Sequence, residues 1–240
     1  PLEKATLALP GDTRDIQVIG PTAYLASGEG GGLQVIDVTL SDAPSTLAEL
    51  GGLGDASALH VLDGVAYIAA GASGLHLVSV SDPSSPQLMG THESEGSVRD
   101  VQVVATRAYL AAGDKGLHVL DVSEPTQPKL LGSRKTPAPA EGVRVVGDVA
   151  YVACGKAGIL AYDVSDPTMM RTLLIAETPG EALDLVLWGT KAYVADGQRA
   201  LSVVALYPPC PGADSACGQA RCDHAQGCVS TEGVALCDVG

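Results

Sequence analysis

The chain has 240 residues, a formal net charge of −14, 29 Gly, 15 Pro, a single Trp and no Phe. Its 14 basic against 28 acidic residues exclude a nucleic-acid binder, whose phosphate contacts need clustered Lys and Arg. No apolar run approaches the roughly 18 residues of a membrane-spanning helix, and no signal-peptide pattern opens the sequence.

A chain of this length buries a sizeable core. Without Phe, small and β-branched residues must fill that core in thin, repeated layers. The first predicted strand is Leu2 to Leu9. Its phase comes from a column 23 residues before each repeat tyrosine, which reads Pro1, Pro44, Pro86, Pro128 and Met170. The chain therefore begins where a repeat's fourth strand begins.

Five repeats follow. The dipeptide Ala-Tyr places tyrosines at Tyr24, Tyr67, Tyr109, Tyr151 and Tyr193, in steps of 43, 42, 42 and 42. Leu33, Leu75, Leu117, Ile159 and Leu201 step by 42 throughout. The third copy shows the unit: Asp100 to Val104, Ala108 to Ala112, Leu117 to Val122 and Lys129 to Gly132, separated by Gly, Pro, Asp and Ser. The apolar spacing is 2 or continuous, not 3.6, and no run is long enough for a helix. Four short strands repeated every 42 residues predict an all-β, five-bladed β-propeller over residues 1–207. The fifth copy is interrupted at Tyr207-Pro208-Pro209 before a fourth strand forms. The N-terminal strand is expected to complete that blade and close the ring, removing a free sheet edge. An unclosed array is the alternative.

The runs Ala66-Tyr67-Ile68-Ala69, Gly74-Leu75-His76-Leu77-Val78 and Asp82-Pro83-Ser84-Ser85-Pro86 resemble the LVIVD repeat, as do Tyr151-Val152-Ala153 and Tyr162-Asp163-Val164-Ser165-Asp166-Pro167. The resemblance covers Pro1 to about Tyr207. It implies a β-propeller of bacterial or archaeal secreted or surface-attached type, and no shared catalytic motif. The last copy departs from it, with Ala205 where others carry Asp37, Asp121 and Asp163.

Residues 208–240 change composition. Cys210, Cys217, Cys222, Cys228 and Cys237 have no Cys-x-x-Cys spacing, and His224 stands alone, so disulfides are expected rather than zinc. That places the protein outside the cell, at its surface or in the periplasm. The segment resembles an incomplete EGF-like module lacking the Cys-x-Cys ending. Five cysteines cannot all pair: Cys154 joins them, one thiol stays free, or the chain continues past Gly240, the reading adopted. Cys154 itself aligns with Ala70 and Ala112 as a buried small residue.

Stacked columns locate the chemistry. Nine residues before each tyrosine stand Asp15, Ala58, Asp100, Gly142 and Asp184, at the mouth of the channel. Asp15, Asp100 and Asp184 are candidates to hold Ca²⁺ through oxygen ligands, against a structural role as acceptors of backbone N–H bonds. Two positions on, Gln17, His60, Gln102 and Arg144 form a polar column suited to a binding surface, with Val186 completing it. His76 and His118 are expected as interior imidazoles with their hydrogen bonds satisfied, and Trp188, aligned with Ile19, Leu62, Val104 and Val146, as core. The glycines of Gly28 to Gly32 precede a strand, which argues against a phosphate loop.

The function expected is a non-enzymatic extracellular or cell-surface interaction module, its partner a protein or surface component. The acidic surface favours basic partners. A self-assembling structural subunit is one alternative. A propeller hydrolase using the mouth carboxylates is the other.

Overall fold

The computed structural model describes residues 5–206, 221–223 and 227–229. Four antiparallel four-stranded sheets and one three-stranded sheet follow one another in chain order, each a simple meander. The third blade runs Asp100–Val104, Arg107–Ala111, Leu117–Asp121 and Lys129–Arg134. Two-residue turns join its first and second strands and those of every other blade. In the second blade, Asp63 and Gly64 both take positive φ (49° and 75°), the mirror-image turn that matches strand twist. Inner strands of successive blades lie against each other from the first blade to the fifth. The expected all-β, propeller-like array of five repeats is therefore present.

Each of the four internal seams is built alike. Tyr24, Ala26, Leu33 and Val35 of the first blade pack on Leu59, Val61, Ala66 and Ile68 of the second. Tyr67 and Leu77 face Val101 and Val103 at the next seam, and Tyr109 and Val119 face Val143 and Val145 after that. A tyrosine thus supplies the ring at each seam that a Phe-free core still needs. Backbone bridges lock the seams from outside the sheets: Gly71 and Val98 exchange bonds of 3.0 and 2.9 Å, and Gly113 with Ala140 and Gly155 with Ala182 do the same.

Among the described residues the sheets do not close into a ring, which corrects the expectation of an N-terminal closing strand. The fifth sheet, Asp184–Trp188, Lys191–Ala195 and Leu201–Ala205, has no fourth member among the described residues. Residues 5–9 form no strand. Leu7 and Leu9 pack instead on Ala23, Leu25 and Ile36, the first-blade face turned away from the second blade. The physical reason lies at one residue. In the four complete blades a glycine (Gly32, Gly74, Gly116, Gly158) sits under the carbonyl that ends the fourth strand. A Cβ there would lie 2.1–2.3 Å from that oxygen. The fifth blade has Ala200 at this position, with φ 67°. A fourth strand in the common register would drive its carbonyl into the Ala200 methyl.

The recurrent aspartates are structural, as expected. Asp37, Asp121 and Asp163 each accept the backbone N–H two residues on, from Thr39, Ser123 and Ser165, at 2.8–3.0 Å. Cys154 is a fully buried free thiol, its pKa pushed up to about 12 by burial. Beyond Leu206, Arg221–Asp223 pairs with Gly227–Val229, which sets the backbones of Cys222 and Cys228 opposite each other. Cys210, Cys217 and Cys237, with the disulfide framework expected of them, lie outside the described residues.

Candidate functional site at the inner-strand mouth

The first residues of four inner strands, Asp15, Ala58, Asp100 and Asp184, line a polar cavity of about 190 Å³ together with Arg144 of the remaining one. The aspartates are engaged one by one. Asp15 accepts the N–H of its own neighbour Ile16 and, at 2.8 Å, that of Leu59 in the second blade. Asp100 accepts from Val101 and, at 2.9 Å, from Val143 in the fourth blade. Asp184 accepts from Leu185 at 2.7 Å and, in the last blade, has no following inner strand to reach.

The next column works the same way. Gln17 takes the Val61 N–H at 2.7 Å and returns its amide to the Val61 carbonyl at 3.0 Å. Gln102 takes the Val145 N–H at 2.7 Å. Blades one and three therefore each clip the inner strand of the following blade twice, through a carboxylate and an amide. These clips occupy the channel-facing side of the strands, because residues two apart share a face.

Arg144 holds the centre. Its guanidinium contacts Asp100 Oδ2 and lies 3.1 Å from Asp184 Oδ1, bridging the two carboxylates where a cation was expected. Burial works against its charge, and Asp100 and Asp184 more than offset that, raising its pKa. Asp184 is itself shifted above the usual carboxylate range, first by burial and then by the charges of Asp100 and Asp15, against the pull of Arg144. Burial and the Arg144 charge hold His60 below the ordinary histidine value. Among the described residues, no group of three or more His, Cys, Asp or Glu is placed to hold a metal ion.

Ion pairs extend the same blade-to-blade pattern around the mouth. Arg14 meets Asp55 of the second blade's entry at 2.7 Å, and Arg99 meets Glu141 of the fourth's at 3.8 Å. Each pairs an exposed arginine with a half-buried carboxylate and adds modest stability.

Two expectations about interior residues change. His76 and His118 are buried, and His76 bonds Thr91 Oγ1 through Nδ1 at 3.1 Å and the Leu53 backbone, yet among the described residues His118 Nδ1 has no hydrogen-bond partner. Trp188 is not core: it is 76% exposed, at the far end of the inner strand from the mouth. Its column directly precedes the two-residue turns, so its members stand at the solvent end of each inner strand. The position of that column beside the turn is the signal that alignment with Ile19, Val104 and Val146 obscured.

Among the described residues, no helix is long and apolar enough to cross a membrane. No curated protein matches the chain. The computationally designed Ika4 protein is similar in structure, with a TM-score of 0.56 at 12% identity over 73% of this chain and 99% of that one. The computationally designed Ika8 protein gives a TM-score of 0.54 at 10% identity over 82% of this chain and 73% of that one. At such identities the likeness is one of fold. The LVIVD repeat matches five times in succession, over residues 10–52, 53–93, 95–136, 138–178 and 179–205, and the chain belongs to the LVIVD-repeat family.

Proposed function

We propose that this chain is a non-enzymatic interaction module of the cell exterior (medium, cell surface or periplasm), carrying a disulfide-held tail at residues 208–240. It binds a protein or surface component through the ends of its blades. One observation supports this reading above the others. The mouth's acidic and amide side chains are spent on Leu59, Val61, Val143, Val145 and Arg144, so they hold blades together instead of facing a substrate. Calcium at Asp15, Asp100 and Asp184 would have to displace Arg144.

The test has two parts. Metal analysis of the dialysed protein is expected to find no retained calcium. A panel of glycosides and lactones is expected to show no turnover. Turnover abolished by Asp100→Asn would replace the module with the hydrolase, for which the raised pKa of Asp184 is the supporting feature.

A second reading, a subunit of a surface assembly, draws on the unsealed ends of the array. Leu201 and Val203 on the fifth blade and Ile16 and Val18 on the first are all more than half exposed. Concentration-dependent association in sedimentation, lost on Leu201→Lys, would favour it.

A further inference from the structure

The end of the sheets remote from the mouth carries an apolar rim. Ile19, Val104, Val146 and Trp188 end their inner strands and are 45%, 38%, 61% and 76% exposed. The four share one face of their strands with the mouth residues, so they surround the channel's second opening. Because inner strands of successive blades lie against each other, these side chains gather at one end of the row, and gathered exposed apolar side chains mark a contact site more often than an accident of packing.

Charge surrounds the rim. Cross-strand register aligns Ile19 with Thr22 and Asp37, Val104 with Arg107 and Asp121, and Val146 with Val149 and Asp163. A carboxylate therefore stands two strands outward from the apolar residue in each of these blades. The hairpin turns add Asp63 and Asp148, both exposed. Hydroxyl and backbone N–H hydrogen bonds from Thr39, Ser123 and Ser165 pull Asp37, Asp121 and Asp163 below the usual carboxylate range, so these three stay ionised. Four basic groups stand among these carboxylates: Lys129 is opposite Asp121 and Lys191 opposite Trp188 in register, while Arg107 donates to the carbonyls of Val164 and Ser165 and Arg171 pairs with Asp163 at 3.0 Å. Among the described residues, the other four of these carboxylates make no ion pair.

We propose that this second opening docks a basic protein segment that presents an apolar side chain between lysines or arginines. The apolar side chain sits against Trp188 and Val146, and its cationic neighbours meet the carboxylate collar. Complementary potential also raises the rate of encounter, which salt then lowers. The inference deepens the module reading and rests on it.

Trp188 is the chain's single tryptophan and reports the site directly. The probe is a synthetic peptide with leucine flanked by lysines. The controls are the same peptide with glutamates for lysines, a second with serine for leucine, and vesicles of anionic or zwitterionic lipid. The lysine–leucine peptide is expected to blue-shift Trp188 emission, with affinity falling about tenfold or more between low and high salt as the Debye length shrinks from about 30 Å to about 3 Å. A double variant, Asp121→Asn with Asp148→Asn, keeps an acceptor at the Asp121 turn and is expected to weaken binding several-fold. Glu95→Gln, near the other end of the blade, is expected to leave it unchanged.

No shift, an equal shift with the glutamate peptide, or a shift on anionic vesicles alone overturns the inference. Calorimetric binding of the peptide with Trp188 silent overturns this site while leaving the module reading intact. Turnover in the substrate panel overturns that reading independently of the peptide result.

Discussion

Asp100 of the third blade accepts the backbone N–H of Val143 in the fourth at 2.9 Å, and the same oxygen receives the Arg144 guanidinium. One carboxylate thus joins two blades and neutralises a half-buried cation. Asp184 has the same column position without a following blade to clip, and its side chain is 51% exposed. Asp100→Ala strands one inter-blade N–H and removes one of the two carboxylates that hold the Arg144 guanidinium, and is expected to cost about 2–3 kcal/mol. Asp184→Ala is expected to cost under about 1 kcal/mol. Urea unfolding of the two variants measures the difference, and equal losses would remove the clip as the explanation.

Leu117 and Leu201 occupy one column of the repeat and differ only in whether a neighbour covers them. Leu117 is fully buried at the seam between the third and fourth blades, and Leu201 is 63% exposed at the end of the array. Leu117→Ala is expected to cost about 2–5 kcal/mol through lost burial and a cavity. Leu201→Ala is expected to stay within about 0.5 kcal/mol, as an exposed site does. Thermal unfolding decides this, and a large loss at Leu201 would mean that the ring closes in solution.

The repeat period made the blades, their turns and their core tyrosines legible in the sequence, because every blade solves the same packing problem with the same columns. The open end was written in the sequence too, as Ala200 in a column of glycines. Its meaning depends on a carbonyl from a strand distant in sequence, so period alone does not reveal it. The mouth was legible as to residues, and a role for its aspartates as backbone N–H acceptors was among the readings, but their partners were not legible. Column position cannot show that Asp15 and Gln17 reach backbone N–H groups one repeat away. Asp196 gave no signal at all. It stands in the column of Ala70 and Ala112, fully buried, and accepts from Thr178, Gly180 and Ser202 at 2.7–3.0 Å. Only the folded fifth blade brings those donors together.

Ala200 also gives a direct test of the missing strand. A left-handed conformation costs an alanine roughly 1 kcal/mol relative to glycine. Ala200→Gly relieves that strain and is expected to raise stability by several tenths of a kcal/mol or more. The reverse change in a complete blade, Gly116→Ala, puts a Cβ 2.3 Å from the Arg134 carbonyl oxygen and is expected to be among the most damaging single changes in the array. Paired melting curves check both signs. A neutral Gly116→Ala would dissolve the link between this glycine column and the fourth strand.

His118 carries the pH response. Its ring is buried, its Nδ1 has no partner, and burial followed by the His92 charge depresses its pKa. His60, His76 and His92 are depressed as well, each first by burial. Between these lowered values and the unfolded value of about 6.5, the unfolded chain binds more protons than the folded one. Stability from these groups is complete above about pH 6.5 and drains as pH falls toward the folded pKa values, by at most about 1.4 kcal/mol per pH unit for each histidine. The fourth blade has Leu160 at the same column position, almost fully buried, so the site has an apolar precedent in the same fold. His118→Leu removes an orphaned polar atom and one titrating group together. The variant is expected to be more stable than the wild type at pH 5.5 by about 1 kcal/mol or more, and to show a shallower decline in urea midpoint from pH 7.5 to 5.5. An unchanged slope would mean that His118 does not titrate against folding, and its unpartnered nitrogen would then require a bound water.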